Sequence, residues 1–269
     1  MTFTTMRAVV LDWAGTMIDY GCFAPVVVVH EVFRRRGIIL TNDEARGPMG
    51  KAKRDHLREI LELPDVATRW QAAHGRVWSE ADVDALYAEF LPLELEIIGE
   101  HCALIPGALD ALADVRRRGM RVGTTTGYNH TIMERVLPAA AAQGYSPDAL
   151  VCPEDVGAGR PAPYMLWRNL TLLDVYPAAA CVKVGDTIAD IAEGRNAGAW
   201  CVGLTRSGNE LGLTHAETQA LDPADLAARL ATIGARMQQA GAQYVIESVT
   251  DLPSVLDAIT ARLAAGERP

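Results

Sequence analysis

Short apolar runs recur along this chain with helix-like segments between them, and this alternation constrains the fold most. The first run covers residues 6–11, and five more lie at 121–125, 149–152, 181–184, 200–204 and 244–246. Near-continuous apolar runs are typical of central strands that a parallel sheet buries on both faces. Helical patterns separate the runs, at 108–118, 132–143, 164–173 and 188–197. The alternation predicts an α/β fold: a doubly wound, mostly parallel, Rossmann-like sheet.

One long segment interrupts the alternation directly after the first strand. From about Asp19 to Glu100 no buried strand pattern occurs, and helical patterns lie at 25–36, 51–62, 64–74 and 80–98. We therefore expect an inserted all-helical cap domain of residues 19–100 over a discontinuous core domain of residues 1–18 and 101–269. The valine run at 26–29 fits a helix poorly because β-branched side chains are stiff there. This element is expected to be irregular or to offer an apolar face to a second copy.

The composition argues against several classes of protein. A formal net charge of −9 disfavours nucleic acid as a partner, because phosphate backbones need a basic face. No apolar run approaches the ~18–20 residues of a membrane span, and no signal-peptide pattern opens the chain. The five cysteines show no Cys-x-x-Cys spacing, and Cys152, Cys181 and Cys201 lie in predicted strands. We expect a cytoplasmic protein with no membrane partner, in which these three cysteines are small buried hydrophobes.

Carboxylates follow two of the predicted strands. Asp12 comes directly after the first run, and Asp186 and Asp190 follow the run at 181–184. The carboxyl ends of parallel strands line one crevice, so we expect the three side chains to meet there. Three carboxylates suit Mg²⁺, which prefers hard oxygen ligands, and Asp12 could attack phosphorus. The alternative is a purely structural role, in which Asp186 only caps the helix that follows it.

Two further segments could hold a phosphoryl group. Thr126 and Gly127 end the strand at 121–125, where a hydroxyl and an amide can bind phosphoryl oxygens. Arg160 lies in a Gly- and Pro-rich loop at 157–163, where a fixed guanidinium could neutralise the charge. Taken alone, the threonine is better explained as a good strand residue and the arginine as a solvated loop residue.

These motifs resemble, in type and order, those of the haloacid dehalogenase superfamily: Asp12-x-Ala14-Gly15-Thr16, Thr126-Gly127, Arg160 and Gly185-Asp186-x-x-x-Asp190. Longer strings resemble the phosphonoacetaldehyde hydrolase family within it: Asp-Trp-Ala-Gly-Thr at 12–16, Asp-Tyr-Gly-Cys-Phe-Ala-Pro at 19–25, Arg-Gly-Pro-Met-Gly at 46–50, Thr-Thr-Gly-Tyr at 125–128 and Ala-Gly-Arg-Pro at 158–161. The resemblance spans nearly the whole chain.

The resemblance implies an enzyme that hydrolyses the P–C bond of phosphonoacetaldehyde to acetaldehyde and phosphate, in the degradation of 2-aminoethylphosphonate. It implies Mg²⁺ held by Asp12, the backbone carbonyl of Ala14 and Asp186, with Asp190 behind these ligands. It also implies a small phosphonate as substrate and a homodimer.

Together with this resemblance, alanine at position 14 gives information about the leaving group of the reaction. Most phosphatases of the superfamily carry aspartate there, which protonates the departing alkoxide. A phosphonate releases carbon with its electron pair instead, so no alkoxide needs a proton. A lysine that turns the neighbouring aldehyde into an iminium could accept those electrons.

The cap offers two lysines for this chemistry, Lys51 and Lys53. Two positions apart on a helix, they cannot share a face, and the resemblance assigns the Schiff base to Lys53. Without this context both are better explained as solvated helix lysines, as most helix lysines are. His56, three residues further on, would share the face of Lys53 and could assist proton transfer. The resemblance places Cys22, Met49 and Tyr128 at the aldehyde end of the site.

Two other functions compete with this interpretation. A phosphomonoesterase or sugar-phosphate mutase of the same superfamily would normally keep the second aspartate, so Ala14 argues against it. A non-catalytic binding protein on the same fold would not need the whole motif set. The region 208–237 looks helical and amphipathic, and the sequence suggests no function for it.

Overall fold

The six apolar runs form one parallel sheet. The structure, a computed structural model, describes residues 5–269. The sheet order is β3-β2-β1-β4-β5-β6, and all neighbouring strands are parallel. The α/β doubly wound prediction is therefore confirmed. The strands are β1 (Ala8–Leu11), β2 (Arg121–Thr125), β3 (Ala149–Val151), β4 (Cys181–Gly185), β5 (Trp200–Leu204) and β6 (Tyr244–Ile246).

The central position of β1, which is covered on both faces, explains why its sequence is apolar throughout. Val9 and Leu11 pack into one hydrophobic cluster, whereas Ala8 and Val10 pack into another on the opposite face. Successive side chains of a strand point to opposite faces, so a strand covered on both sides cannot alternate with polar residues. Because β1 lies between β2 and β4, the residue that follows it is placed at the middle of the sheet edge.

Seven helices of the core follow β1 and the inserted segment. The longest of them has 18 residues, and none of the helices described between residues 5 and 269 combines the length and apolarity of a membrane crossing. The helices are α6 (Ala108–Arg117), α7 (His130–Ala142), α8 (Tyr164–Leu172), α9 (Ile188–Ala197), α10 (His215–Ala220), α11 (Pro223–Ala240) and α12 (Leu252–Ala264).

The expectation of a helical segment at 208–237 needs a correction. Its first helix begins only at His215, and residues 207–209 instead form a turn after β5 with buried Ser207 and Asn209. The Ser207 hydroxyl and the Asn209 backbone N–H contact groups at the sheet edge, and the Asn209 side chain contacts Arg46 of the insert. This turn therefore belongs to the candidate site.

Five helices fill the inserted segment, and no strand interrupts them: α1 (Phe23–Arg35), α2 (Asn42–Arg46), α3 (Lys53–Glu62), α4 (Pro64–His74) and α5 (Glu80–Ile97). The valine run lies in the regular helix α1 and is not irregular. Val28 and Val29 are buried, whereas Val27 is 49% exposed. Helix α3 begins at Lys53, two residues later than the sequence pattern predicts.

The helices of the insert share a hydrophobic cluster of their own, which includes Leu57, Leu86 and Phe90. A separate cluster is what an independent cap would need. The boundaries at 18/19 and 100/101 stay predictions, and the first four residues of the predicted core segment lie outside the described residues.

All five cysteines are free thiols in buried positions. Burial raises the pKa of Cys152 and of Cys201 to about 12. Cys152, Cys181 and Cys201 are thus buried apolar residues, as predicted. Cys152 lies directly after β3, however, and not within a strand.

We expect Leu86→Ala, in the cluster of the insert, to lower the free energy of unfolding by about 2–5 kcal/mol, because it leaves a cavity. Leu86 is fully buried, whereas Leu172 of α8 is 57% exposed. Leu172→Ala is therefore the matched control and should change stability by less than about 0.5 kcal/mol. Urea unfolding measures both, and equal losses would contradict the packing described here.

Candidate active site

Three aspartates meet where β1 and β4 end. Asp12 follows β1, Asp186 follows β4, and Asp190 lies in the first turn of α9. One carboxylate oxygen from each lies within 4.8 Å of the others. All three side chains are buried. The sheet thus brings together residues that are far apart in the sequence.

Two glycines make this close approach possible. Gly15 has a left-handed φ of +80°, and a Cβ there would lie 2.2 Å from Oδ2 of Asp186. A Cβ at Gly185 would lie 2.2 Å from Cγ of Asp190. Any larger residue at either position would push the aspartates apart.

Hydrogen bonds fix the orientation of Asp186. The Thr16 hydroxyl donates to Oδ1 at 2.9 Å, and the backbone N–H of Asn209 donates to Oδ2 at 2.8 Å. The Ser207 hydroxyl donates to the carbonyl of Gly15 at 2.8 Å. Sequence reasoning missed Ser207 and Asn209. Their position just after β5, at the same sheet edge, is the signal that could have found them.

The direction of its pKa shift distinguishes Asp190 from the other two aspartates. Burial raises the pKa of Asp12, and burial together with Asp12 and Asp190 raises the pKa of Asp186 well above its usual range. Burial acts on Asp190 too, but Arg160 and Lys183 outweigh it and lower the pKa of this carboxyl. The negative charge of Asp190 is therefore compensated by cations, whereas that of Asp186 is not.

This donor set fits a magnesium ion. Asp12 and Asp186 offer buried, hard oxygen ligands. Asp12 is paired with Arg160, whereas the charge of Asp186 is not compensated by a cation, so the two carboxylates suit Mg²⁺. Ala14 lines the same cleft as Asp12. Asp190 forms ion pairs with Lys183 at 2.8 Å and with Arg160 at 3.1 Å. These contacts suit a position behind the metal ligands.

Arg160 is the centre of a buried ionic network. Its guanidinium lies 2.8 Å from Oδ1 of Asp12 and 2.9 Å from Oε2 of Glu193. The Thr125 hydroxyl accepts hydrogen bonds from both Arg160 and Lys183 at 2.8 Å and donates to Glu193 at 3.0 Å. Despite burial, the carboxylates of Asp12, Asp190 and Glu193 raise the pKa of Arg160, so this cation is fixed.

The sequence interpretation missed Thr125, Lys183 and Glu193. Lys183 lies within an apolar strand pattern, and Glu193 lies on the buried face of α9. A charged residue at a position that the pattern buries is the signal that could have found both.

The loop after β2 contacts the loop that precedes α3. The Thr126 hydroxyl accepts a hydrogen bond from the Tyr128 N–H at 3.0 Å, which tightens the turn. A Cβ at Gly127 would lie 2.3 Å from the carbonyl oxygen of Lys51. Arg160 also donates to the carbonyl of Gly50 at 3.1 Å. The phosphate-site candidates therefore lie directly below the inserted segment.

A small cleft lies between the insert and the sheet edge. Lys53 is 6% exposed, and its Nζ lies 3.8 Å from Sδ of Met49 and 4.9 Å from the centroid of the Tyr128 ring. Lys51 forms an ion pair with Glu59 instead. The lining contains the predicted residues Asp12, Ala14, Cys22, Met49, Lys53, Thr126, Gly127 and Tyr128.

Comparisons with known proteins agree with this geometry. A family model described as haloacid dehalogenase-like hydrolase matches residues 6–198. A phosphonoacetaldehyde hydrolase of Nitratidesulfovibrio vulgaris is 47% identical over 98% of this chain and 94% of its own length. This decides the family. The chain belongs to the phosphonoacetaldehyde hydrolases, within the haloacid dehalogenase-like hydrolases.

Two further relatives are similar over most of the chain. A bifunctional phosphonoacetaldehyde hydrolase/aminoethylphosphonate transaminase of Clostridioides difficile is 45% identical over 93% of this chain and 40% of its own length. The crystal structure of a phosphonoacetaldehyde hydrolase-like protein of Oleispira antarctica has a TM-score of 0.97 at 40% identity. It covers 100% of this chain and 97% of that one. The fold and the hydrolase class of the chain follow from these relatives.

Two of the candidate supporting residues are electrically neutral. His56 is buried on the same face of α3 as Lys53, with Nε2 2.8 Å from the Ala45 carbonyl. Burial and Lys53 lower the pKa of His56 to about 3. Burial raises the pKa of the Cys22 thiol well above its usual range. At neutral pH neither residue is charged, so His56 has little capacity to accept a proton.

We expect Mg²⁺ at a hundredfold excess over its Kd to stabilise the protein by about 2.7 kcal/mol. Asp186→Asn should abolish this gain, and the metal-free variant should be at least as stable as wild type because a buried charge is removed. Thermal unfolding with and without Mg²⁺ measures both effects. Asp174→Asn, at an exposed site with positive φ, is the control and should keep the gain. A full Mg²⁺ gain in Asp186→Asn would contradict the assigned site.

Proposed function

We propose that this chain hydrolyses the P–C bond of phosphonoacetaldehyde to acetaldehyde and phosphate. One observation carries the proposal: Asp12 of the core and Lys53 of the insert line the same small cleft. A nucleophile for phosphorus and an amine for an aldehyde are thus available to the two ends of one short molecule. The names of the relatives support the same substrate, and Ala14 supports a reaction without an alkoxide leaving group.

The phosphonate end is assigned to Thr126, Gly127 and Arg160. The Thr126 hydroxyl and the Gly127 amide provide hydrogen-bond donors, and the guanidinium provides a fixed positive charge. Mg²⁺, held by Asp12, Asp186 and the Ala14 carbonyl, would supply further positive charge to the phosphonate oxygens. Together these groups would leave phosphorus open to the Asp12 carboxylate.

The aldehyde end is assigned to Lys53. Its Nζ adds to the carbonyl carbon, and loss of water gives an iminium, which is an electron sink next to the P–C bond. Cys22, Met49 and Tyr128 surround this end and exclude water from it.

Asp12 then attacks phosphorus, and the electrons of the P–C bond move into the iminium to give an enamine. The enamine takes a proton on carbon, and hydrolysis of the resulting imine releases acetaldehyde and frees Lys53. Water cleaves the aspartyl phosphate and releases phosphate. No proton has to reach a leaving oxygen at position 14, which agrees with alanine there.

The reaction belongs, in this proposal, to the degradation of 2-aminoethylphosphonate. The bifunctional relative of Clostridioides difficile supports this, because its name joins the hydrolase to an aminoethylphosphonate transaminase. A homodimer also stays a proposal. The exposed Val27 on α1 supports it, and sedimentation of wild type and Val27→Glu would test it.

We expect borohydride to trap a reduced two-carbon adduct on Lys53 when the protein turns over phosphonoacetaldehyde with Mg²⁺. Lys53→Arg should lose the adduct and lower phosphate release by at least about a thousandfold, because a covalent step is removed. Peptide mapping and phosphate assays measure the two effects.

Lys51→Arg is the matched control and should keep both the adduct and the phosphate release. An adduct on Lys51 would correct the residue and keep the chemistry. Hydrolysis of p-nitrophenyl phosphate without any phosphonoacetaldehyde activity would favour a phosphomonoesterase instead.

A further inference from the structure

Two groups of side chains among residues 5–269 have the composition and spacing of metal ligands. One is the aspartate group of the candidate active site, which offers only carboxylate oxygens. The other offers a nitrogen, a sulfur and an oxygen, from His130, Cys152 and Asp155, and these donor atoms all lie within 4.8 Å of one another. Magnesium takes oxygen ligands, whereas zinc is bound mainly by cysteine, histidine and carboxylates. The second group therefore suits a different class of metal.

The second group lies apart from the cleft of the candidate active site, because none of its residues lines that cleft. His130 is the first residue of α7, and Cys152 directly follows β3. Asp155 lies a few residues further on, in the segment that leads to Arg160. The group thus connects two parts of the core that are distant in the sequence.

Hydrogen bonds orient the carboxylates of this group. Oδ2 of Asp155 accepts the Cys152 backbone N–H at 2.8 Å, and Oδ1 lies 3.0 Å from Nε2 of His130. Oε2 of Glu154 accepts the His130 backbone N–H at 2.7 Å. Ligand atoms around a tetrahedral zinc ion lie roughly 3–4 Å apart, so the imidazole and the carboxylate already have the required separation. Outer hydrogen bonds of this kind commonly fix carboxylates that bind metals.

The thiol distinguishes the group from an ordinary surface ion pair, which would need only His130 and Asp155. Cys152 packs in the main hydrophobic cluster and is fully buried, whereas the His130 side chain is 51% exposed. An ion can therefore enter from solvent past the imidazole and meet the sulfur on its inner side. Burial, with the carboxylates of Asp155 and Glu154, raises the pKa of Cys152 to about 12, so metal binding must release the thiol proton.

We propose that His130, Cys152 and Asp155 bind a divalent transition-metal ion of the zinc class, separate from the magnesium proposed for the aspartates. The ion replaces the hydrogen bond between imidazole and carboxylate. The metal–sulfur bond forms as the thiol gives its proton to solvent, and nothing is oxidised or reduced. Water or the neighbouring Glu154 carboxylate completes the coordination. This site holds the start of α7 against the segment that leads to Arg160, and it does not depend on the proposed reaction.

The test uses Co²⁺, which occupies the same sites as zinc and shows a charge-transfer absorption when a thiolate binds it. Titration of wild type in excess Mg²⁺ should give this absorption with one Co²⁺ per chain, and Zn²⁺ should abolish it by displacement. Cys152→Ser should not show it. His130→Ala changes a half-exposed side chain and should fold normally, but it should weaken Zn²⁺ binding by about a hundredfold because a ligand is lost.

Cys22→Ser is the matched control, because Cys22 is also a buried free thiol and lines the active-site cleft. This variant and Asp186→Asn should both keep the full absorption. An absorption that is lost in Cys22→Ser and kept in Cys152→Ser would place the ion in the cleft and overturn the proposal. A wild type without the thiolate absorption, or an unchanged Zn²⁺ affinity in His130→Ala, would overturn it as well.

Discussion

The repulsion between buried carboxylates is the constraint on which the rest of this structure depends. Asp12, Asp186 and Asp190 lie within 4.8 Å of one another, and three negative charges cannot be held so close in a dry interior without compensation. Arg160 and Lys183 compensate Asp190, whereas hydrogen bonds from Thr16 and Asn209 only orient Asp186. The negative charge that remains at Asp186 is the charge that the divalent cation proposed for this site would compensate.

The buried ionic network around Arg160 also connects the sheet edge to the helical insert. Arg160 contacts Asp12 and also donates to the Gly50 carbonyl, so the residue assigned to the phosphonate also contacts the loop before α3. Gly127 lets that loop approach the end of β2. Lys53 follows this loop directly, and its position over the cleft is therefore fixed by the groups assigned to phosphorus.

The sheet and the positions of Asp12 and Asp186 could be predicted because they depend on local patterns. An apolar run at β1 or β4 specifies a buried strand, and a residue that ends such a strand is placed at the sheet edge. The roles of Asn209 and Lys183 could not be predicted in this way. Each is decided by a partner from a distant element, and a polar residue in an apolar pattern does not reveal which partner it meets.

The helix boundaries show the same limit on a smaller scale. The pattern around Lys51 predicts a helix, yet α3 begins at Lys53 because the preceding residues approach Gly127 and Arg160. Tertiary contacts also keep the β-branched run in α1 helical, since Val28 and Val29 are buried. Packing thus overrides propensity at both places.

The most direct test of the central claim is a crystal structure of Asp12→Asn with Mg²⁺, after phosphonoacetaldehyde and borohydride have been added. The variant blocks cleavage, so the reduced adduct should keep its phosphonate. The account predicts continuous density from Nζ of Lys53 to a phosphonate whose phosphorus lies about 3–3.5 Å from the side chain at position 12. Its oxygens should contact Thr126, Gly127 and Arg160. An adduct whose phosphonate points away from position 12 would contradict the account.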